Sequence, residues 1–343
     1  MQSKIRIIPE SIVLLKLTDE EYFNNYTDYM SNSRLSLINS DEGGDFSNFN
    51  SSFNTEYSDS FELGTAIHSM ILQPDSYLIS DFNKPSGKFG LFLFDVLKFR
   101  RLGFSILDSI KKASLSANYY ASSFSEKRIK KAIKEGISFY LKLLKFEEHE
   151  SKKTLFLSDT NKEKYLKCMS SLVSSEIFEL VNPSEDTFGI IESFNEYAIL
   201  CTLEVTIEGE IFLVDFKAKF DNFLIDHFNK TVTLNDLKSS SKPVKYFMGN
   251  YVKKDEESIW YNGSFQKYHY YRQVGIYIWL LQAALALKDI QYKPKVNMLV
   301  VETMPEFSSK IYPVNGKYIK AGLGEFNKLL TSFLIWKKQN YSI

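Results

Sequence analysis

Residues 197–238 read YAILCTLEVTIEGEIFLVDFKAKFDNFLIDHFNKTVTLNDLK. Three runs rich in Val, Ile, Phe, Leu and Thr (Tyr197 to Thr206, Glu210 to Asp221, Thr231 to Lys238) are separated by turn residues, Glu208-Gly209 and Asp226-His227-Phe228-Asn229. Such runs between such turns are strands joined as hairpins. On a strand, residues two apart point the same way, so Asp236 and Lys238 project together from one face. Asp221 ends the preceding strand, and a hairpin return would bring it beside Asp236. Paired carboxylates can hold a hard cation such as Mg²⁺, which takes oxygen ligands and keeps several waters. A lysine beside them can orient or deprotonate a water and steady developing negative charge, which suits metal-assisted hydrolysis. The plainer alternatives are a surface Asp–Lys ion pair worth under about 1 kcal/mol and a turn role for Asp221 before Asn222.

Outward from this stretch, the pattern predicts a helix from Tyr268 to Leu287, an apolar strand from Val296 to Glu302 and a last helix from about Lys320 to Lys337. Upstream, helical spacing places Leu63, Ala66, Ile67, Met70 and Ile71 on one stripe, with Pro74 as a stop. Further helices are expected over Ser125 to Lys145 and from Asp159 or Thr160 to Leu180. The order, helices followed by β-β-β-α-β-α, argues for an α/β (α+β) fold with a central mixed sheet flanked by helices and preceded by an N-terminal helical region. The chain divides into an acidic, partly loop-like segment 1–60, a helical region 61–190 and a core 191–343, with 61–343 read as one compact domain.

A chain of 343 residues with 44% hydrophobic content can build a sizeable core, which excludes a disordered or collagen-like class. Lys+Arg and Asp+Glu both number 42, yet residues 1–83 hold four basic and 13 acidic side chains, while 84–145 hold 14 basic and four acidic. A polyanion would find its footing on that middle segment, at Lys127, Arg128, Lys130 and Lys131; a solvated helix face is the alternative. Two cysteines are too few for a disulfide framework or a four-cysteine metal cluster, so a reducing cytoplasm is the expected compartment and no iron–sulfur cluster is expected. No stretch has the pattern of a targeting peptide or a membrane span. No phosphate-binding glycine loop is present.

His68 sits beside Ile67 and Ile71, four residues after Gly64, either as a ligand-facing residue or as an ordinary helical histidine. Gln273 and Tyr277 are four apart and share a helix face. They present an amide and a phenol to a phosphate or base, or else Tyr277 is core.

Gly64-x-x-x-His68, Asp221, Asp236-x-Lys238 and Gln273-x-x-x-Tyr277, in this order, resemble the PD-(D/E)xK nuclease superfamily, in its RecB/RecE-like branch of exodeoxyribonuclease VIII-type phage exonucleases. Phe61–Asp75 resembles that group's histidine helix, Ser31–Leu35 its opening helix start, and Val301-Glu302-Thr-Met-Pro305 its late strand. The likeness spans about 30–337. It implies a restriction-endonuclease-like core and a Mg²⁺- or Mn²⁺-dependent DNA exonuclease. That enzyme would act 5′→3′ on double-stranded ends and expose a 3′ strand for recombination or repair. It further implies Asp221, Asp236 and His68 as metal ligands and Lys238 as the residue positioning water. Glu196 would complete the acidic cluster, with Glu204 as its competitor, and Gln273 and Tyr277 would contact DNA. A ring-shaped homo-oligomer and a single-strand annealing partner are expectations of the same kind, as is a host cytoplasm for a phage-encoded chain. An endonuclease with the same site, or a non-catalytic DNA-binding subunit of this fold, are the rival readings.

Overall fold

The apolar alternation of residues 191–240 takes shape as three antiparallel strands in a computed structural model, in which residues 3–50, 59–80, 87–117, 134, 138, 141–142, 152–184, 189–254 and 257–340 are described. The chain forms two units, Met1–Tyr57 with Lys164–Ile343, and Ser58–Glu163.

In the first unit, strands β1 (Ser3–Ile7) and β2 (Val13–Lys16) both pair with the later strand β5. Residues 1–60, expected to be partly loop, thus supply two edge strands. They are too short for a period-2 pattern to stand out. Helices α1 (Asp19–Asn24) and α2 (Asn32–Ile38) follow, with Thr18 and Ser31 as N-caps.

The second unit holds α3 (Asp59–Leu72), β3 (Tyr77–Ile79), α4 (Gly87–Arg101), α5 (Ile106–Ser116) and β4 (Lys153–Leu155), with β3 and β4 parallel. Phe92, Leu93, Val96, Ile110 and Ala113 form its own small core between α4 and α5. Lys127, Arg128, Lys130 and Lys131 lie outside the described residues. Helix α6 (Asp159–Val173) runs on into the first unit and is followed by α7 (Glu176–Val181).

Strands β5 (Ile191–Ile207) and β6 (Glu210–Asp226) form one long hairpin. Its turn holds Glu208 at φ 51° and Gly209 at φ 89°, the doubly positive geometry whose twist matches that of the strands. Strand β7 (Thr231–Ser240) pairs antiparallel with the end of β6. After a small separate hairpin, β8 (Asn250–Lys254) and β9 (Glu257–Tyr261), come α8 (Ser264–Lys267) and the long α9 (Tyr270–Ala286). Strand β10 (Lys293–Glu302) then returns parallel to β7, as a helical crossover permits. Strand β11 (Ser309–Pro313) and α10 (Gly316–Asn340) complete the chain. The seven-stranded sheet is mixed, in the order β1-β5-β6-β7-β10-β11 with β2 beside β5.

Helices α2, α9 and α10 cover one face of this sheet through a core that includes Phe216, Phe220, Phe223, Ile276, Met298 and Phe326. Burying each such side chain is worth about 1.5–3 kcal/mol. Gly322 of α10 is a steric requirement: a Cβ there would stand 2.1 Å from the carbonyl oxygen of Tyr271, so only glycine lets α9 and α10 approach this closely. Among the described residues no helix is long and apolar enough to cross a membrane.

Candidate active site

Strand β6 does not end at Asp221, as its composition suggested, but changes sense there. Phe220 and Phe223 are both buried in the same core, as Phe194 and Tyr197 both pack against it on β5. In a regular strand residues three apart face opposite ways. The reversal therefore falls on Asp221-Asn222 and on Asn195-Glu196. Cross-strand pairs Asn195↔Asn222 and Tyr197↔Phe220 bracket Glu196 and Asp221, which face each other without a ladder pair of their own. Glu196 adopts φ 60°, a left-handed conformation that costs a non-glycine residue on the order of 1–3 kcal/mol and is typically retained at functional positions.

The β6–β7 ladder stops at Asn222↔Asn235, one pair short of Asp221 and Asp236. Past that point Asp221 Oδ2 accepts the Leu237 N–H at 2.7 Å, so its side chain takes the place of a backbone acceptor. Directly behind, on the opposite face, a row of asparagines ties four strands together. Asn222 Nδ2 donates to Asn195 Oδ1 at 2.6 Å, Asn235 Nδ2 to Asn222 Oδ1 at 2.7 Å and Asn297 Nδ2 to Asn235 Oδ1 at 3.0 Å. Asn222 and Asn235 are fully buried. A register slip of one residue would strand these amides without partners, so the row locks the strands where the carboxylates converge.

Carboxylate oxygens of Glu196 and Asp221 come within 4.8 Å of each other. The Lys238 ammonium lies 2.5 Å from Asp236 Oδ2 and 3.9 Å from Asp221 Oδ2. Gln273 Nε2 donates to Asp236 Oδ1 at 2.9 Å. Lys219 pairs with Glu196 and, at 2.5 Å, with Asp19. Tyr270 covers Lys238, whose Nζ is 5.3 Å from the ring centroid. Tyr277 packs against Phe220, with ring centroids 5.3 Å apart, and is part of the core margin. Glu204 lies farther along β5, paired with Arg6 of β1 at 2.5 Å. His68 is half-buried on α3 of the second unit, beside the buried Ile67 and Ile71.

Burial raises the Glu196 carboxyl to about 7, with the negative charge of Asp221 adding to burial and Lys219 opposing it. Burial likewise raises Asp236 to about 6, again with Asp221 adding and Lys238 opposing. Burial opposes the charge on Lys238, but Asp236 and Asp221 outweigh it and hold the ammonium above its ordinary range. Both carboxyls are thus under-compensated by the lysines beside them. Asp236 Oδ2, fully buried, has its ion pair with Lys238 but no hydrogen bond of normal geometry. Carboxylate oxygens short of positive charge and of donors suit a hard divalent cation. Glu196 and Asp221, whose carboxylate oxygens come within 4.8 Å of each other, are the residues of this unit that would hold it, with Asp236 joined to Asp221 through Lys238.

Protons and cation compete for the same oxygens, so Mn²⁺ affinity should fall on the order of ten-fold from pH 8 to pH 6, as Glu196 and then Asp236 take up protons. Calorimetry at both pH values checks this, and equal affinities would remove these carboxyls from the ligand set.

Two members of the cluster escaped the sequence reading. Lys219 had a signal, its parity with Asp221 two residues on. Tyr270 has one too, since Tyr270, Gln273 and Tyr277 recur on one helix face.

No family model matches the chain, and no curated protein matches it. Among solved structures, a crystal structure from Eubacterium rectale described as a "putative exonuclease" is similar over 95% of this chain and 88% of its own, at 13% sequence identity and a TM-score of 0.46.

Proposed function

We propose that the chain is a divalent-metal-dependent deoxyribonuclease that hydrolyses phosphodiester bonds at double-stranded DNA ends. The observation that carries this reading is the approach of Glu196 to Asp221 across two strands, with Lys238 of the next strand bridging Asp221 and Asp236. Mg²⁺ or Mn²⁺ held there would neutralise phosphate charge and lower the pKa of water. Lys238, whose two aspartates favour its charged form, acts as a donor that orients the attacking water and meets charge building on the phosphate. Gln273 fixes the Asp236 carboxylate through its amide. Lys219 performs the same service for Glu196. Tyr270 shields the lysine from bulk water, which strengthens its electrostatics.

The resemblance adds the finer parts of the proposal. These are 5′→3′ polarity, a 3′ strand left for recombination, a metal role for His68, DNA contacts by Gln273, Tyr277, Lys127, Arg128, Lys130 and Lys131, a homo-oligomeric ring and an annealing partner.

Linear duplex labelled at the 5′ or the 3′ end, incubated with Mg²⁺ beside a covalently closed plasmid, tests the whole. Early release of the 5′ label with an intact plasmid is expected. Plasmid nicking would favour an endonuclease, and no metal-dependent product from either substrate would leave a binding subunit.

A further inference from the structure

We infer that the β8–β9 hairpin and the aromatic side chains at its base form a stacking path for the unpaired bases of a single DNA strand beside the carboxylate–lysine cluster. The inference rests on the deoxyribonuclease reading for the identity of its ligand. Six large apolar side chains within residues 246–268 are exposed: Tyr246, Tyr251, Ile259, Trp260, Tyr261 and Tyr268. Single exposed apolar residues need no explanation, but Tyr251 and Trp260 are paired across the two strands and place two exposed rings on one face of the hairpin. The hairpin is a two-stranded sheet separate from the main one, and such a pair gains little from its own packing.

The rings are held ready. Tyr251 and Trp260 are direct cross-strand partners, with ring centroids 4.8 Å apart at 64°. Trp260 Nε1 donates to Asn262 Oδ1 at 3.0 Å, and its ring lies so close over Gly249 that a Cβ there would be 2.3 Å away. A fixed, exposed indole loses little entropy when a base stacks on it.

The base of the hairpin adjoins the site, where Phe247 stacks on Tyr270 with ring centroids 6.0 Å apart. The hairpin is inserted between β7, which carries Asp236 and Lys238, and α9, which carries Tyr270 and Gln273. At its root Gln266 Nε2 donates to Met248 O at 2.9 Å. From Lys238 the rings continue through Tyr270 to Tyr268, whose centroids are 5.8 Å apart. Cations accompany them: Lys245 lies 5.1 Å from the Tyr246 ring and Lys267 lies 5.4 Å from the Tyr268 ring. Aromatic faces interleaved with ammonium groups match the alternation of base and phosphate along a single strand.

A short fluorescent oligothymidylate, titrated with the full chain in a chelator to prevent cleavage, is the test. Tyr251→Ser and Trp260→Ser should each weaken binding by about five-fold or more. Tyr251→Phe and Trp260→Phe should hold it within about two-fold, because every aromatic ring offers a stacking face. Binding of inorganic polyphosphate, which has no bases, should not respond to any of the four. Wild-type oligothymidylate affinity in the serine variants, an equal loss toward polyphosphate, or no oligothymidylate binding by the wild type would each overturn the inference. Digestion of labelled duplex by the wild type is scored separately. Cleavage with ring-independent binding removes the stacking path alone, whereas ring-dependent binding without cleavage removes the enzyme and keeps the path.

Discussion

Lys238→Ala should lower metal-dependent DNA cleavage by roughly 10²–10³-fold or more, the usual consequence of deleting one preorganised group that meets transition-state charge. Mn²⁺ binding should survive in the same variant. Removing one partner of a buried ion pair ordinarily costs about 3–5 kcal/mol, because a charge is left uncompensated. Here that cost is relieved, since Asp236 is already raised to about 6 and takes a proton, or a cation, once the ammonium is gone. Cleavage and metal binding should therefore separate, which an unfolded variant would not show. Calorimetry with Mn²⁺ beside a cleavage assay makes the comparison. Turnover within a few-fold of wild type would sink the assignment of Lys238.

Arg272→Met should destabilise the first unit by about 3–5 kcal/mol. The guanidinium is fully buried, and each of its three nitrogens donates to a side chain. Nε donates to Asn32 Oδ1 at 2.8 Å, Nη2 to Ser36 Oγ at 2.7 Å, and Nη1 to Glu42 Oε2 at 2.6 Å and Glu325 Oε1 at 2.7 Å. Glu325 also accepts from Tyr271 and pairs with His269 at 2.8 Å. Glu42, Glu325 and His269 have the look of a metal cluster, but the cation between the carboxylates is Arg272. Burial would raise the Glu42 carboxyl, yet Arg272 outweighs it and holds it below its usual range. Its contribution to stability is thus present above the ordinary carboxylate pKa and lost as the pH falls through the depressed value. Without Arg272 two carboxylates lose the cation between them, and Asn32, Ser36 and Glu42 lose their anchor on α9. Adding Glu42→Gln and Glu325→Gln should restore a large part of the loss, since the penalty lies in the stranded charges. Urea denaturation of the three proteins decides it, and a loss under about 1 kcal/mol for the single variant would mean the network is not structural.

Much of this architecture was legible before any coordinates. Strands 197–206, 210–221 and 231–238, the helix near 268–287, the strand 296–302 and the last helix are all present with moved boundaries. The largest shift, at β6, has a cause visible in FKAKFDNFLI itself, where the apolar period breaks at Asp221-Asn222. The helix expected over 160–180 is two, because the chain turns at Ser174-Ser175 and Ser175 caps α7. The helix expected over Ser125 to Lys145 falls mostly outside the described residues.

Backbone geometry alone determined that Asp236 and Lys238 share a face, since strand periodicity is a local property that every residue carries with it. Which glutamate stands opposite Asp221 was not local. Glu196 and Glu204 have equal parity, and only the pairing of β1 with β5 commits Glu204 to Arg6 while the reversal in β5 turns Glu196 toward Asp221. The same holds for Lys219, Tyr270 and the Arg272 network, whose partners lie up to 240 residues away. Contacts of that span depend on register and crossover across the whole sheet, and no window of sequence contains them.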